Sequence, residues 1–118
     1  MLNRFAAALV AVLALACLSS AAFAEVGIAS WYGHSFCGRK TASGERFNCA
    51  AMTCARPSFR AGHKPYSVSV TNLANGRTIS CRVNDRGPFV RGRILDLSPA
   101  AKRALGLRDL GRVRVGRP

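Results

Sequence analysis

The chain has 118 residues, with 18 Lys and Arg against 5 Asp and Glu and a formal net charge of +13. That length reads as one domain, while the charge points to polyanionic partners. Nucleic acid would be the default polyanion for a cytoplasmic chain of this charge, and the N-terminus argues against that setting.

Met1 to Arg4 carries one positive charge, and Phe5 to Leu18 follows as an unbroken apolar run. A bilayer-spanning helix needs about 20 residues, so the run reads as a signal peptide. Ala22-Phe23-Ala24 supplies a small-x-small cleavage site, which makes residues 1–24 the leader and residues 25–118 one exported domain. A second route competes, because Leu13-Ala14-Leu15-Ala16-Cys17 loosely resembles a lipoprotein box in which Cys17 is lipidated, with Ala14 in place of the usual leucine. The first route releases a soluble product to the periplasm or cell envelope; the second adds a peripheral or lipid-anchored membrane association. Without the leader, 17 basic residues face Glu25, Glu45, Asp85, Asp96 and Asp109, a net charge of +12. For an exported chain the expected polyanions are peptidoglycan carboxylates, lipid headgroups or wall polymers, and no nucleic acid.

Val26, Ile28, Ser30 and Tyr32 alternate with Gly27, Ala29 and Trp31, predicting a first strand over Val26 to Tyr32. His34 to Asn48 is too poor in apolar residues for core and reads as a surface loop. Ala50 to Thr53 suggests a short buried strand, and Arg56 to Lys64 a basic, irregular connection. Tyr66 to Thr71 and Ile79 to Val83 alternate with period two around Asn75-Gly76, the signature of a hairpin with a type I′ turn. Ile94 to Leu97 precedes a helix with Ser98 as N-cap, Pro99 at its first position, Ala100 to Leu105 as its body and Gly106 at its end. Arg112 to Val115 is a last strand. Five or six short strands and one small helix predict a compact barrel.

Cys37, Cys49, Cys54 and Cys81 form an even set in a small exported domain, which reads as two disulfides worth about 2–4 kcal/mol each. Three connectivities exist; Cys37–Cys49 with Cys54–Cys81 is preferred, because Cys37 and Cys49 bracket one polar loop. No C-x2-C pair occurs, and His34 and His63 fit no zinc pattern, so neither a metal nor a cofactor is expected. The expected state is a monomer.

Four segments carry a more specific signal: Ala29-Ser30-Trp31-Tyr32-Gly33, Arg39 to Phe47, Val70 to Arg77, and Asn84-Asp85-Arg86-Gly87-Pro88-Phe89-Val90 with Arg93 to Ser98. In this order they resemble the rare lipoprotein A (RlpA) family across nearly all of residues 25–118. The resemblance implies an all-β fold, a six-stranded double-psi β-barrel with one or two short helices, related to the first domain of expansins and to barwin-like proteins. It implies as activity the endolytic transglycosylase cleavage of peptidoglycan glycan strands, without water, to 1,6-anhydro ends. One carboxyl group suffices, since it can protonate the glycosidic oxygen and recover a proton from the sugar's C6 hydroxyl.

By the same resemblance, Asp85 is the expected general acid and Glu45 a supporting acid/base or orienting group. Tyr32, Arg56 and Arg86 are the expected substrate contacts. An Arg86 paired with Asp85 would lower its pKa, against the needs of a general acid. Trp31 is expected in the core, and Asp96 reads as structural. The chain departs from the family at Thr53-Cys54-Ala55-Arg56, where Arg56 occupies the position of the expected histidine, and at Phe59 to Pro65, which replaces a shorter turn. Arginine cannot exchange protons, though it could bind a carboxylate or orient Glu45. Two functions follow: a lytic transglycosylase, or a non-catalytic wall-binding or wall-loosening module of the expansin type; a barwin-like effector or inhibitor is a third. The geometry of Asp85 discriminates. An open groove near Glu45 favours catalysis, and backbone amides on the carboxylate favour binding.

Overall fold

The computed structural model describes residues 24–117, so the expected leader and the Cys17 box lie outside the described residues, Ala24 excepted. Six strands form one closed barrel: β1 (Glu25–Trp31), β2 (Thr53–Arg56), β3 (Tyr66–Asn72), β4 (Thr78–Arg86), β5 (Arg93–Leu97) and β6 (Gly111–Gly116). Their order around the barrel is β1-β5-β2-β4-β3-β6. The β1/β5 and β2/β4 pairs are parallel and the other four antiparallel. This is the six-stranded double-psi β-barrel that the resemblance implies, and closure leaves no sheet edge exposed. One helix, α1 (Pro99–Leu105), and a 3₁₀ turn (His34–Phe36) complete it.

Period-two alternation builds the core. Val68 and Val70 of β3, Cys81 and Val83 of β4, Leu95 and Leu97 of β5, and Val113 and Val115 of β6 all point inward and are buried. Each fully buried leucine contributes about 1.5–3 kcal/mol. Helix α1 packs against β4, β2 and β5 and adds Ala101 and Leu105. The Ser98 hydroxyl accepts from the Ala101 amide at 3.1 Å, Pro99 starts the helix, and Gly106 ends it at φ +71°.

Three local expectations are corrected. The second strand lies at Thr53–Arg56, because the chain turns just before it: the Asn48 side chain accepts from the Ala50 amide and the Asn48 carbonyl from the Ala51 amide. The β3–β4 hairpin forms, but without a type I′ turn, since only Gly76 has positive φ. Asn75 instead donates its side-chain amide to the Leu105 carbonyl at 2.9 Å, tying the turn to α1. Of the two expected disulfides, Cys37–Cys49 is present and closes the loop after β1. Cys54 and Cys81 are free thiols, both buried in the barrel. They pack as small apolar side chains on adjacent strands, and burial, then the neighbouring Cys81, pushes the Cys54 pKa up.

Candidate active site

The site forms where the C-terminal ends of β1 and β4 meet. Just past β1, the Tyr32 amide donates to the Leu97 carbonyl at 2.9 Å, which fixes the backbone beside the end of β5. The Tyr32 ring packs on Phe47 with centroids 4.6 Å apart and meets Phe36 edge-on at 6.0 Å. Its hydroxyl donates to Asp85 Oδ2 at 2.9 Å. Burial, then the Asp85 charge, raises the Tyr32 pKa far above its ordinary value, so the phenol stays protonated as a donor.

The loop between the disulfided cysteines supplies the second wall. It folds back on itself through Gly38 to Phe47, Phe47 to Arg39 and Thr41 to Glu45 backbone bonds of 2.7–2.8 Å. It then docks on β4: the Ser43 amide donates to the Asn84 carbonyl, and the Ala42 amide to Asp85 Oδ1 at 2.8 Å. The Arg86 amide donates to the same oxygen at 2.9 Å. Asp85 therefore accepts two backbone N–H groups and one phenol. The half-buried carboxylate faces a pocket of about 330 Å³ lined also by Phe36, Arg39, Lys40 and Arg86.

Glu45 is not in that pocket. It turns along β4 to Arg82, whose Nη1 lies 2.9 Å from both carboxylate oxygens, and Ser43 Oγ donates to Oε1 at 3.2 Å. The Arg82 hydrogen bonds hold its carboxyl below the usual range against the opposing effect of burial. Asp85 and Glu45 thus share a docking loop without sharing a cavity.

The arginines also depart from expectation. The Arg86 guanidinium does not pair with Asp85; it donates to the Pro57 carbonyl at 3.5 Å and lies over the Phe89 ring at 5.4 Å, so only its backbone touches the carboxylate. Arg56 does not orient Glu45. It pairs with Glu25 at 3.5 Å and lines a different pocket, beside Tyr66 and Val115. Trp31 packs at the edge of the core; its indole N–H donates to Asp109 at 3.2 Å and Lys102 covers its ring at 4.0 Å.

Three residues were undervalued by sequence reasoning. Phe36 and Phe47 give the pocket an aromatic wall, although their loop reads as polar, and Phe47 is buried. Asp96 accepts from Ser30 Oγ at 3.1 Å; burial raises its pKa, Ser30 and Arg93 oppose that shift, and the Asp85 charge adds to it. Ser30 and Asp96 are register partners on β1 and β5, a contact that sequence spacing does not reveal.

Among the described residues, one His and Cys cluster, His34 with Cys37 and Cys49, brings three ligand atoms within 4.8 Å of one another. The two sulfurs are bonded to each other, so no thiolate is free to ligate a metal. No described helix is long and apolar enough to cross a membrane.

Comparison with known proteins places this geometry. A family profile described as lytic transglycolase matches residues 24–116. A Synechocystis protein named as a probable endolytic peptidoglycan transglycosylase RlpA is 53% identical over 85 residues, 72% of this chain and 26% of its own. The endolytic peptidoglycan transglycosylases RlpA of Pseudomonas aeruginosa and Neisseria meningitidis are 47% and 46% identical, each over 80% of this chain and over 27% and 38% of their own. The chain thus spans well under half the length of these curated relatives. Among solved structures, the Streptomyces papain inhibitor superposes with a TM-score of 0.58 at 25% identity, covering 80% of this chain and 94% of the inhibitor. On its motifs, its barrel and these matches, the chain belongs to the lytic transglycolase family of RlpA-like double-psi β-barrels.

Proposed function

We propose that this domain is an exported, endolytic peptidoglycan transglycosylase with Asp85 as its acid and base. The observation that carries the reading is that Asp85 is the one carboxylate lining the Tyr32 pocket. Hydrolysis by the retaining or inverting route needs a second carboxylate across the scissile bond. Glu45 is neutralised outside the pocket by Arg82, and Asp96 is held by Ser30. A single carboxyl fits the route without water. Protonated Asp85 gives its proton to the glycosidic oxygen as that bond breaks. The carboxylate so formed is the species for which the Ala42 amide, the Arg86 amide and the Tyr32 hydroxyl are already aimed. Donors fixed in advance stabilise charge as it develops, without reorganisation. Asp85 then takes the proton of the C6 hydroxyl as its oxygen closes the 1,6-anhydro ring, which regenerates the acid. The relatives' names support this substrate class.

One specific observation favours the second reading, a wall-binding module without turnover. Arg56 stands at the family's histidine position and its side chain turns to Glu25, and no imidazole lines the Asp85 pocket. The two backbone amides on Asp85, with Glu45 outside its pocket, also favour that reading by the criterion drawn from the sequence. The relatives' names outweigh the inhibitor reading, which rests on likeness of fold. The test is incubation of the purified protein with intact and peptide-stripped sacculi, followed by mass spectrometry. Fragments with anhydro ends support the enzyme; persistent sacculus binding with no released fragment leaves the binding module.

A further inference from the structure

Phe89 is the most exposed large apolar side chain among the described residues, at 74%. A single apolar residue at a surface needs no special account. This one is held in a set place. The turn that carries it, between β4 and β5, is pinned at both ends: the Gly87 amide donates to the Arg56 carbonyl at 3.2 Å and the Ile28 amide to the Gly92 carbonyl at 3.1 Å. The Arg93 amide closes the turn on the Val90 carbonyl at 3.1 Å. The Arg86 guanidinium lies over the ring at 5.4 Å and is itself tied to the Pro57 carbonyl at 3.5 Å. The cation covers one face of the ring and leaves the other to solvent.

Arg86 also lines the Asp85 pocket, so the Phe89 ring stands one side chain beyond the pocket wall. The same arrangement occurs a second time. Phe36, 44% exposed, lies under the Arg39 guanidinium at 5.3 Å, and both of these residues line the pocket. Phe36 belongs to the 3₁₀ turn after β1 and Phe89 to the turn after β4, so two segments far apart in sequence each bring an arginine-backed phenylalanine to the same cavity's edge. A flat ring with one free face fits the apolar C–H face of a sugar, and the arginine behind it offers donors to sugar hydroxyls. A glycan strand cut internally continues as further rings beyond a pocket of about 330 Å³.

We propose that Phe89 is a stacking platform for a sugar ring of the strand that occupies the Asp85 pocket, outside that pocket and separated from it by Arg86. The proposal rests on the peptidoglycan reading and adds a subsite to it. Ring contact is not screened by salt, unlike the general attraction of a strongly basic domain to polyanions.

The test uses the full chain purified from the envelope fraction and soluble, peptide-stripped glycan strands. Affinity is measured by fluorescence anisotropy at low salt and in about 0.5 M salt. F89A should lose about tenfold at both, and in turnover the loss should fall on KM with kcat nearly unchanged. F89Y and F89W keep a ring and should bind within about threefold of the wild type. V90A alters the neighbouring exposed apolar residue of the same turn and should lose less than about twofold. F89W also reports contact directly: Trp31 is the one native tryptophan and packs at the edge of the core, so added strands should shift the emission of F89W to the blue and leave that of the wild type unchanged. A matching thermal midpoint for F89A assigns its loss to binding. An equal loss by V90A overturns the proposal, because it reduces the effect to apolar surface. So does a loss that neither F89Y nor F89W restores. If F89A loses binding to phosphatidylglycerol vesicles and keeps its affinity for strands, the ring is a membrane anchor and the platform fails. If the wild type binds and cleaves the strands and F89A matches it, only the platform fails; if the wild type neither binds nor cleaves them, the peptidoglycan reading fails with it.

Discussion

The pocket at Asp85 and the exposed edge at Glu45 share two segments, the 38–47 loop and β4, and they treat a carboxylate in opposite ways. Asp85 is met by neutral donors and faces a cavity. Glu45 is met by a guanidinium and faces solvent along the strand. Neutral donors hold a carboxylate in position and favour its ionised form without supplying a counter-charge; a guanidinium neutralises it. Glu45 accordingly serves as a clamp. By joining Ser43 and Arg82 it holds the loop down on β4, and the loop delivers the Ala42 amide to Asp85. In this account Glu45 is a positioning residue.

The largest effect should come from Asp85→Asn, which keeps size and removes the transferable proton. Product formation should fall by at least about 10²-fold, with sacculus binding retained. A variant that retains activity breaks the comparison; one that fails to fold assigns Asp85 to the turn alone. Tyr32→Phe keeps the ring on Phe47 and deletes one donor to the developing carboxylate. Turnover should drop about tenfold at nearly unchanged KM, since the lost contact strengthens in the transition state. A rise in KM alone would make Tyr32 a substrate contact instead.

Glu45→Gln and Arg82→Ala should each lower turnover by less than about tenfold, and the double variant no further than either single one, because both release the same clamp. A Glu45→Gln loss as deep as that of Asp85→Asn would place Glu45 in the chemistry. The clamp's stability contribution should be small, at most about 0.5 kcal/mol, because the pair is exposed. Since Arg82 holds the folded Glu45 pKa below its unfolded value, that contribution is present at neutral pH and fades as pH falls through the folded pKa.

Asp96 behaves in the reverse sense and gives the smallest effect. Burial raises its folded pKa above the unfolded value, so stability falls as pH rises between the two. Asp96→Asn still accepts from Ser30 and removes the half-buried charge. It should raise the thermal midpoint by about 2–4 °C near neutrality and by nothing below about pH 3, where both forms are neutral. A lower midpoint at neutrality would show that the carboxylate itself is stabilising.

The barrel is legible in the sequence because period-two alternation and helix caps are local signals. Val68, Val70, Cys81 and Val83 declare an inward face, and Ser98-Pro99 declares a helix start. The site is legible only in part. The family motifs single out Tyr32 and Asp85, and the structure brings them together. Their contact spans 53 positions and depends on which barrel strands end side by side, something no local pattern encodes. Arg56, Arg86 and Glu45 lie on the expected segments, but their side chains follow the nearest partner, Glu25, Pro57 and Arg82 respectively. The Cys54 and Cys81 pair shows the same limit. An even cysteine count fits two bridges, whereas burial among valines and leucines accommodates two thiols equally well. Asn75-Gly76 marked the right turn for the wrong reason, since the Leu105 carbonyl that captures Asn75 lies 30 positions away.

The central claim is that one carboxyl, Asp85, both gives and recovers the proton, with no water consumed. The direct measurement is mass spectrometry of glycan fragments released in water enriched in oxygen-18. The account predicts 1,6-anhydro ends that carry no label from the wild type and no release from Asp85→Asn. Labelled reducing ends from the wild type would contradict it, because they require water activation by a second group that the Asp85 pocket does not contain.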